Sequence, residues 1–425
     1  MGKIKNIVTS TIVLSSFTTT LMADELQTSL SSGTMSANLK TFYFKGERDN
    51  RTDREALAIG GILKYESISY YGFKIGTAFY VSRDLLKLDT QTVQKGSIDN
   101  GADINLVTKN VAGNTEMLNS DGTALETLGE AYLQYNISNT MIKFGRQRVN
   151  TPLLNDYYNR FLPNSCESLV VTNKDISDTE LLAIYAFKWK YKAREKFQDI
   201  QDIMMLGIKN SSLDNTTIQM YDYYIPNIMN SIYLQFDNSK IIDTPSFKLS
   251  IAMQYLNQKD IGDATIGLID TYLAGAKIGM NFDKLKFTMM YDKVGNSTIR
   301  GSGTDYSTMG YSKFVNFTDI QIDGEALNAG ASSYGATLGY SFGDIKPALK
   351  YVHIEQDLAM QSTGNTPNSR PSSDEYNIDI KSKIDKVSKL RVRLAYIDYE
   401  STHKNEFDEI NLRVIYDYKF LVSGL

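Results

Sequence analysis

Apolar residues in this chain return at every second position, in segments of about ten residues, and no internal run of about 18 apolar residues breaks the pattern. In Tyr71–Val81 (YGFKIGTAFYV), Tyr71, Phe73, Ile75, Phe79 and Val81 share one parity, while Gly72, Lys74, Gly76 and Ala78 take the other. The same alternation runs through Phe247, Leu249, Ile251, Met253 and Tyr255, and through Leu285, Phe287, Met289 and Tyr291. A period of two is strand geometry, with one greasy face and one small or charged face. The length suits a tilted strand crossing a bilayer, where every backbone N–H and C=O must pair within the protein. A sheet in that position has to close. The pattern therefore predicts an all-β transmembrane antiparallel barrel, although a mean hydropathy of −0.29 and 22% charged residues would alone suggest a soluble chain.

Turn signals place strands near 36–45, 55–66, 70–81, 128–137, 140–149, 166–175, 180–191, 203–210 and 216–225. The others fall near 229–238, 246–257, 268–281, 285–294, 329–341, 345–355, 374–384, 389–400 and 406–420. That makes about 18 strands, an even number within the range of large outer-membrane barrels. Connections alternate in length. Ser138-Asn139, Ile176–Asp178, Phe342–Asp344 and Asp385–Ser388 are short; 82–127, 150–165, 295–328 and 356–373 are long and polar. Short periplasmic turns and long outer loops produce this asymmetry.

At the N-terminus, Lys3 and Lys5 precede an apolar stretch from Ile7 to Leu21, then Leu21-Met22-Ala23 and Asp24-Glu25. Residues 1–23 read as a secretory signal, cleaved after about Ala23, and 24–425 as a single barrel domain. With 49 acidic against 45 basic side chains, nothing points to a nucleic-acid partner. Cys166 is the single cysteine, so no internal disulfide is expected and an inert buried thiol is the simplest role. Gly339-Tyr-Ser-Phe-Gly343 matches the nucleophile-elbow pattern, but it joins two strands where that chemistry needs a strand, a turn and a helix. His353 and His403 lack the companions of a zinc site or a catalytic dyad, and Asp99–Asp103 lacks the spacing of a defined calcium loop. No enzyme activity, metal or cofactor is expected.

The charged parity carries the functional signal. In Lys389–Tyr399 (KLRVRLAYIDY), Leu390, Val392, Leu394 and Tyr396 share one face; Arg391 and Arg393 share the other. An arginine facing lipid at the midplane costs about 2–4 kcal/mol, so both arginines must face the water-filled lumen. By the same parity Lys381, Lys383, Arg413 and Lys419 face inward, as does Lys40 on the first strand, while Leu39 and Tyr43 face out. Lys40, Lys381, Lys383, Arg391, Arg393 and Arg413 form a column of cations on one wall. Side chains two apart lie about 6.5 Å from each other, and their repulsion of about 0.6 kcal/mol in bulk-like water would be relieved by a passing carboxylate. The plainer alternative is that these charges simply pair with Asp379, Glu409 and Asp417.

Several motifs resemble the OprD family of outer-membrane porins, the outer-membrane carboxylate channels. They are Gly145-Arg-Gln147, Asn150-Thr-Pro-Leu-Leu154, Arg160-Phe-Leu-Pro163, Cys166-Glu167, Tyr223-Tyr-Ile-Pro226 and Asp270-Thr-Tyr-Leu-Ala-Gly275. Gly61-Ile-Leu-Lys-Tyr-Glu66 with Tyr71-Gly-Phe73 is similar too. The resemblance implies an 18-stranded barrel whose third outer loop, about 150–165, folds inward as a constriction carrying Asn155, Asp156, Tyr157, Tyr158 and Arg160. It also implies a basic ladder at Lys40, Arg391, Arg393 and Arg413, and passage of small carboxylate-bearing solutes, including amino acids. The expected partners are small anionic or zwitterionic solutes together with outer-membrane lipid and lipopolysaccharide; monomer and trimer both stay open. Asp156 is expected to hold an ammonium or guanidinium end of a solute. One departure is Phe420, followed by Leu-Val-Ser-Gly-Leu425 where strands of such barrels usually end on an aromatic. The competing reading is a structural or adhesive surface barrel acting through its long loops.

Overall fold

The computed structural model describes residues 27–48, 53–86, 90–94, 106–110, 112–300, 314–322, 325–356, 372–400 and 408–423. The expected signal segment, Asp99–Asp103 and His403 lie outside the described residues. The strands are β1 (Thr34–Arg48), β2 (Arg54–Glu66), β3 (Phe73–Asp84), β4 (Thr90–Gln94), β5 (Leu106–Asn110), β6 (Leu125–Ile137), β7 (Thr140–Gln147), β8 (Ser165–Asn173), β9 (Thr179–Lys190) and β10 (Gln198–Asn210). They continue as β11 (Thr216–Ile225), β12 (Met229–Asp243), β13 (Lys248–Asp260), β14 (Asp270–Phe282), β15 (Leu285–Val294), β16 (Ser332–Tyr340), β17 (Ile345–Glu355), β18 (Ser372–Lys383), β19 (Ser388–Glu400) and β20 (Glu409–Ser423). Eighteen of them form one sheet, and β4 with β5 makes a separate hairpin. Each barrel strand pairs antiparallel with the next, and β20 returns to β1, from Thr34 opposite Ser423 to Arg48 opposite Glu409. The sheet is closed and has no edge to satisfy.

The eighteen segments read from alternation are the eighteen barrel strands. Differences arise where alternation itself breaks. β12 runs to Asp243, past a register shift with β13 between Asn238 and Ile242 where extra residues interrupt the ladder. β10 begins at Gln198, before a similar shift at Asp199/Ile203. β20 continues past Phe420 to Ser423 because β1 starts early enough, at Thr34, to supply partners. The stretch 82–127 is not featureless, since it holds the β4–β5 hairpin and a 3-10 turn at Ala112–Thr115.

Parity is as expected on β3, where Phe73, Ile75 and Phe79 are exposed on the outer belt while Ala78, Tyr80 and Ser82 are buried inside. Apolar residues are also buried within the outer half of the lumen, because three outer connections fold into it. Leu153 and Leu154 pack with Trp189, Tyr223 and Phe314. Met117, Leu118 and Phe161 pack against Phe42, Phe44 and Tyr80. Ile320 packs with Val352, Ile354 and Ile397. Fully burying side chains of this size yields about 1.5–3 kcal/mol each, which is the main force holding the connections inside the barrel.

Candidate functional site: a constricted, basic-walled lumen

The third outer connection, 148–164, crosses the lumen as the resemblance implied. Thr151 Oγ1 donates to Leu154 O (2.7 Å) and accepts from Leu154 N (3.2 Å), and Asn155 Oδ1 accepts from Tyr157 N (3.1 Å). These local bonds let the backbone turn without a ladder partner. Tyr157 and Asn159 project toward the centre. Tyr158 lies behind them with its ring 4.0 Å from Lys40 Nζ, and Lys40 donates to Arg160 O (3.1 Å) and Phe161 O (3.3 Å).

Two expected roles change here. Lys40 is 6% exposed and bonded to the loop carbonyls, with Asp417 at 3.9 Å, so it anchors the constriction and is not a rung open to solutes. Asp156 accepts from Arg148 Nε (2.9 Å) and Nη2 (2.5 Å), so its charge is already matched and is not free to hold a solute cation.

On strands β18 and β19, next to β20 and β1, Lys381, Arg391 and Arg393 come together around one carboxylate, with Arg413 opposite Arg393 in the ladder. Asp379 accepts from Arg391 Nε (2.8 Å) and Nη2 (2.5 Å), and lies 3.8 Å from both Arg393 Nε and Lys381 Nζ. In the ladder Arg393 stands between Asp379 and Arg413, and Lys381 stands between Lys346 and Arg391. Like charges about 5 Å apart repel by about 0.8 kcal/mol even in bulk-like water, so one Asp379 leaves this wall with excess positive potential. Lys383 sits opposite Lys389 at the periplasmic end and is exposed. Glu409 pairs with Arg54 and not with the column. Arg413 is 1% exposed and donates from Nε to Asn411 Oδ1 (2.9 Å) and from Nη2 to Gln321 O (2.9 Å).

That last bond reveals an inward strap that the sequence reading took for an ordinary outer loop. Residues Phe314–Ile322 lie across the lumen beside Tyr157. Asp292 Oδ2 on β15 accepts from Thr318 N (2.7 Å), Thr318 Oγ1 (2.7 Å) and Asn316 Nδ2 (3.0 Å). Glu375 on β18 accepts from Gln321 N (2.6 Å) and Ile322 N (2.8 Å), and Lys350 donates to Asp319 O. Lys346 and Lys350 were legible from the parity of β17; the strap was announced only by the apolar Phe314-Val315 and Phe317 inside a polar stretch.

Two cavities meet at this neck. One, of about 390 Å³, is lined by Gln321, Asp379, Arg393 and Arg413; the other, of about 590 Å³, by Lys209, Gln219, Tyr221, Tyr233 and Phe314. Tyr157, Asn159 and Val315 line both and therefore mark the narrowing. Behind them Lys192 donates to Asn159 Oδ1 (2.6 Å). Burial draws the Lys192 ammonium down to about 8, against the raising influence of Glu116. Anion preference is therefore expected to weaken between about pH 7 and 9 as Lys192 loses its proton. Reversal potentials across that range check this, and a Lys192→Met protein should give the flatter curve.

The remaining motifs fall outside the lumen chemistry. Gly339–Gly343 forms the end of β16 and its periplasmic turn, with Phe342 bridged to Ile345 and Gly343 at φ 61°. His353 faces outward, hydrogen bonded to Asp374 Oδ1 (3.0 Å) and packed on Tyr334. Cys166 is buried. Among the described residues no group of His, Cys, Asp and Glu side chains is arranged to hold a metal ion.

A closed barrel with an apolar outer belt, a charged interior and inward outer loops is a transmembrane diffusion pore. The chain belongs to the OprD family of outer membrane porins, whose family model matches residues 30–420. No curated protein matches it in sequence. Its structure is similar to OccK9 (OpdG) of Pseudomonas aeruginosa, with a TM-score of 0.74 at 15% identity, covering 93% of this chain and 100% of that one. It is likewise similar to OccAB3 of Acinetobacter baumannii (TM-score 0.74, 15% identity, covering 91% and 99%). OpdK of Pseudomonas aeruginosa, in a structure with vanillate, gives 0.71 at 14% identity, covering 92% and 100%. Identities this low establish the shared fold. The protein is an outer-membrane porin.

Proposed function

We propose that this porin passes small solutes bearing a carboxylate, such as organic acids or amino acids, by drawing the anionic group along the Lys381, Arg391 and Arg393 wall. The carrying observation is the imbalance at that wall, where three cations share the one carboxylate of Asp379 beside the neck. A solute carboxylate entering the smaller cavity would take up the uncompensated potential, while Tyr221, Tyr233 and Phe314 offer an apolar surface to the rest of the molecule. The OpdK structure with vanillate is consistent with such cargo for that relative. Selection by charge and width requires no chemistry on the solute.

The test is conductance of the folded protein in a planar bilayer under a salt gradient. Discrete steps with an anion-favouring reversal potential are expected. Replacing Arg391 and Arg393 together by alanine should reduce the anion-to-cation ratio several-fold. Unchanged ion preference and unchanged block by carboxylates in that double variant would remove the basic wall from the mechanism.

A further inference from the structure

The cations behind the neck are met by a carboxylate that the barrel wall does not supply. Glu116, on the inward segment 112–124, sets Oε2 2.8 Å from Lys192 Nζ and 3.5 Å from Arg160 Nε, and its Oε1 accepts from the Tyr191 hydroxyl. Three outer connections meet at this point: 85–124 brings the acid, 148–164 brings Arg160, and 191–197 brings Tyr191 and Lys192. The Lys192 and Arg160 side chains are 1% and 7% exposed, whereas that of Glu116 is 38% exposed, so vestibule water reaches the cluster from the carboxylate side. Lys192 also lies 4.4 Å from the Tyr157 ring and donates to Asn159, two of the three residues that line both cavities. Its charge is thus immediately behind the junction of the two cavities. Arg160 Nη1 is buried and has no hydrogen-bond partner among the described residues, so the loops leave this guanidinium incompletely satisfied.

Backbone geometry marks the same place. Glu116 and Tyr157 hold φ of +60° and +32°. Non-glycine residues enter that region at a cost and remain there only where their surroundings over-determine them. An ammonium, a phenol hydroxyl and a guanidinium converging on one carboxylate is the donor set that a solute carboxylate would seek. Burial alone would raise the Glu116 carboxyl, but Lys192 and Arg160 overcome it and hold the group at about 2, so it stays ionised wherever the porin operates.

We propose that Glu116 sets the charge and specificity of the neck: tethered to the second outer connection, it occupies the anion-binding group formed by Arg160, Lys192 and Tyr191, and it competes there with permeating carboxylates. This rests on the pore reading above and adds to it a self-supplied competitor. With Glu116 in place the resting neck is less anion-selective than its cations alone would make it, and a solute must displace this carboxylate to reach Arg160.

The alternative is a latch that only ties the three connections together, and paired variants of the full-length protein separate the two. Glu116→Gln keeps the size of the side chain and one acceptor oxygen, for Tyr191 or Lys192, while removing the charge. Lys192→Met removes the opposite charge. In planar bilayers under a potassium chloride gradient at about pH 5, where Lys192 keeps its proton without help from Glu116, Glu116→Gln is expected to raise the anion-to-cation ratio about threefold and Lys192→Met to lower it by a similar factor. Succinate should block chloride current at a concentration about threefold lower in Glu116→Gln, and Glu116→Asp should restore wild-type behaviour. A mere latch would loosen the loops in both variants and move the two in the same direction, or change conductance without moving the reversal potential. Either result overturns the assignment while the wild type still conducts. A folded wild type that passes no current overturns the pore reading and this inference together.

Discussion

Replacing Asp292 with alanine is expected to raise the single-channel conductance and to add opening noise, by freeing the Phe314–Ile322 strap from the wall of β15. One carboxylate oxygen accepts from Thr318 N, Thr318 Oγ1 and Asn316 Nδ2, and the other from Gln254 Nε2 at 2.8 Å. Hydrogen bonds to a charged group are worth about 1.5–3 kcal/mol each, and removing the acceptor also leaves buried donors unsatisfied. A loss of even about 3 kcal/mol shifts a seated-to-released equilibrium more than a hundredfold. Glu375 and Arg413 continue to hold Gln321 and Ile322, so release should be partial, and Asp292→Ala with Glu375→Ala should go further. Barrel closure involves none of these side chains, so the variants should still fold. Single-channel recordings check the effect. Conductance equal to wild type in the double variant would mean that Arg413, Lys350 and the apolar packing of Ile320 against Val352 and Ile354 suffice to hold the strap.

How far the sequence carried follows from what alternation can encode. A strand with lipid on one side and water on the other must alternate, so strand number, outward faces and the inward direction of Arg391, Arg393 and Arg413 were readable. Alternation cannot register a bulge, and β10 and β12 were cut short at theirs. It is also blind to what enters the lumen. The strap, the segment around Glu116 and the pairing of Asp156 with Arg148 depend on contacts between residues far apart in the chain, and parity says nothing about them. A weaker signal was present: Met117-Leu118 and Phe314-Val315 are apolar pairs in stretches that should be purely polar if they only met water. Lys40 shows the same limit from the other side. Its parity was right, yet its partners, the carbonyls of Arg160 and Phe161, lie about 120 positions away in a loop whose path parity does not fix.

Leu394→Arg is expected to destabilise the folded barrel by about 2–4 kcal/mol, although Arg391 and Arg393 on the same strand are tolerated. Leu394 lies near the middle of β19, opposite Ile378 on β18 and Leu412 on β20, and lines an outward apolar groove with Leu349, Tyr376 and Tyr396. A guanidinium there faces hydrocarbon and can escape only by distorting the strand or drawing water and headgroups inward. Arg393, one residue earlier, points the other way and has Asp379 3.8 Å from its Nε. The reciprocal change, Arg393→Leu, should alter ion preference while costing far less stability, since it moves no charge into hydrocarbon and Asp379 keeps Arg391 as its partner. Urea titration of protein folded into lipid vesicles, followed by heat-modifiable gel migration, measures both. Equal stability for Leu394→Arg and wild type would place Leu394 in water, reverse the faces of β19, and turn Arg391 and Arg393 out of the lumen. Because β18 and β20 are locked in register to β19, that single result would also dismantle the basic wall on which selectivity depends.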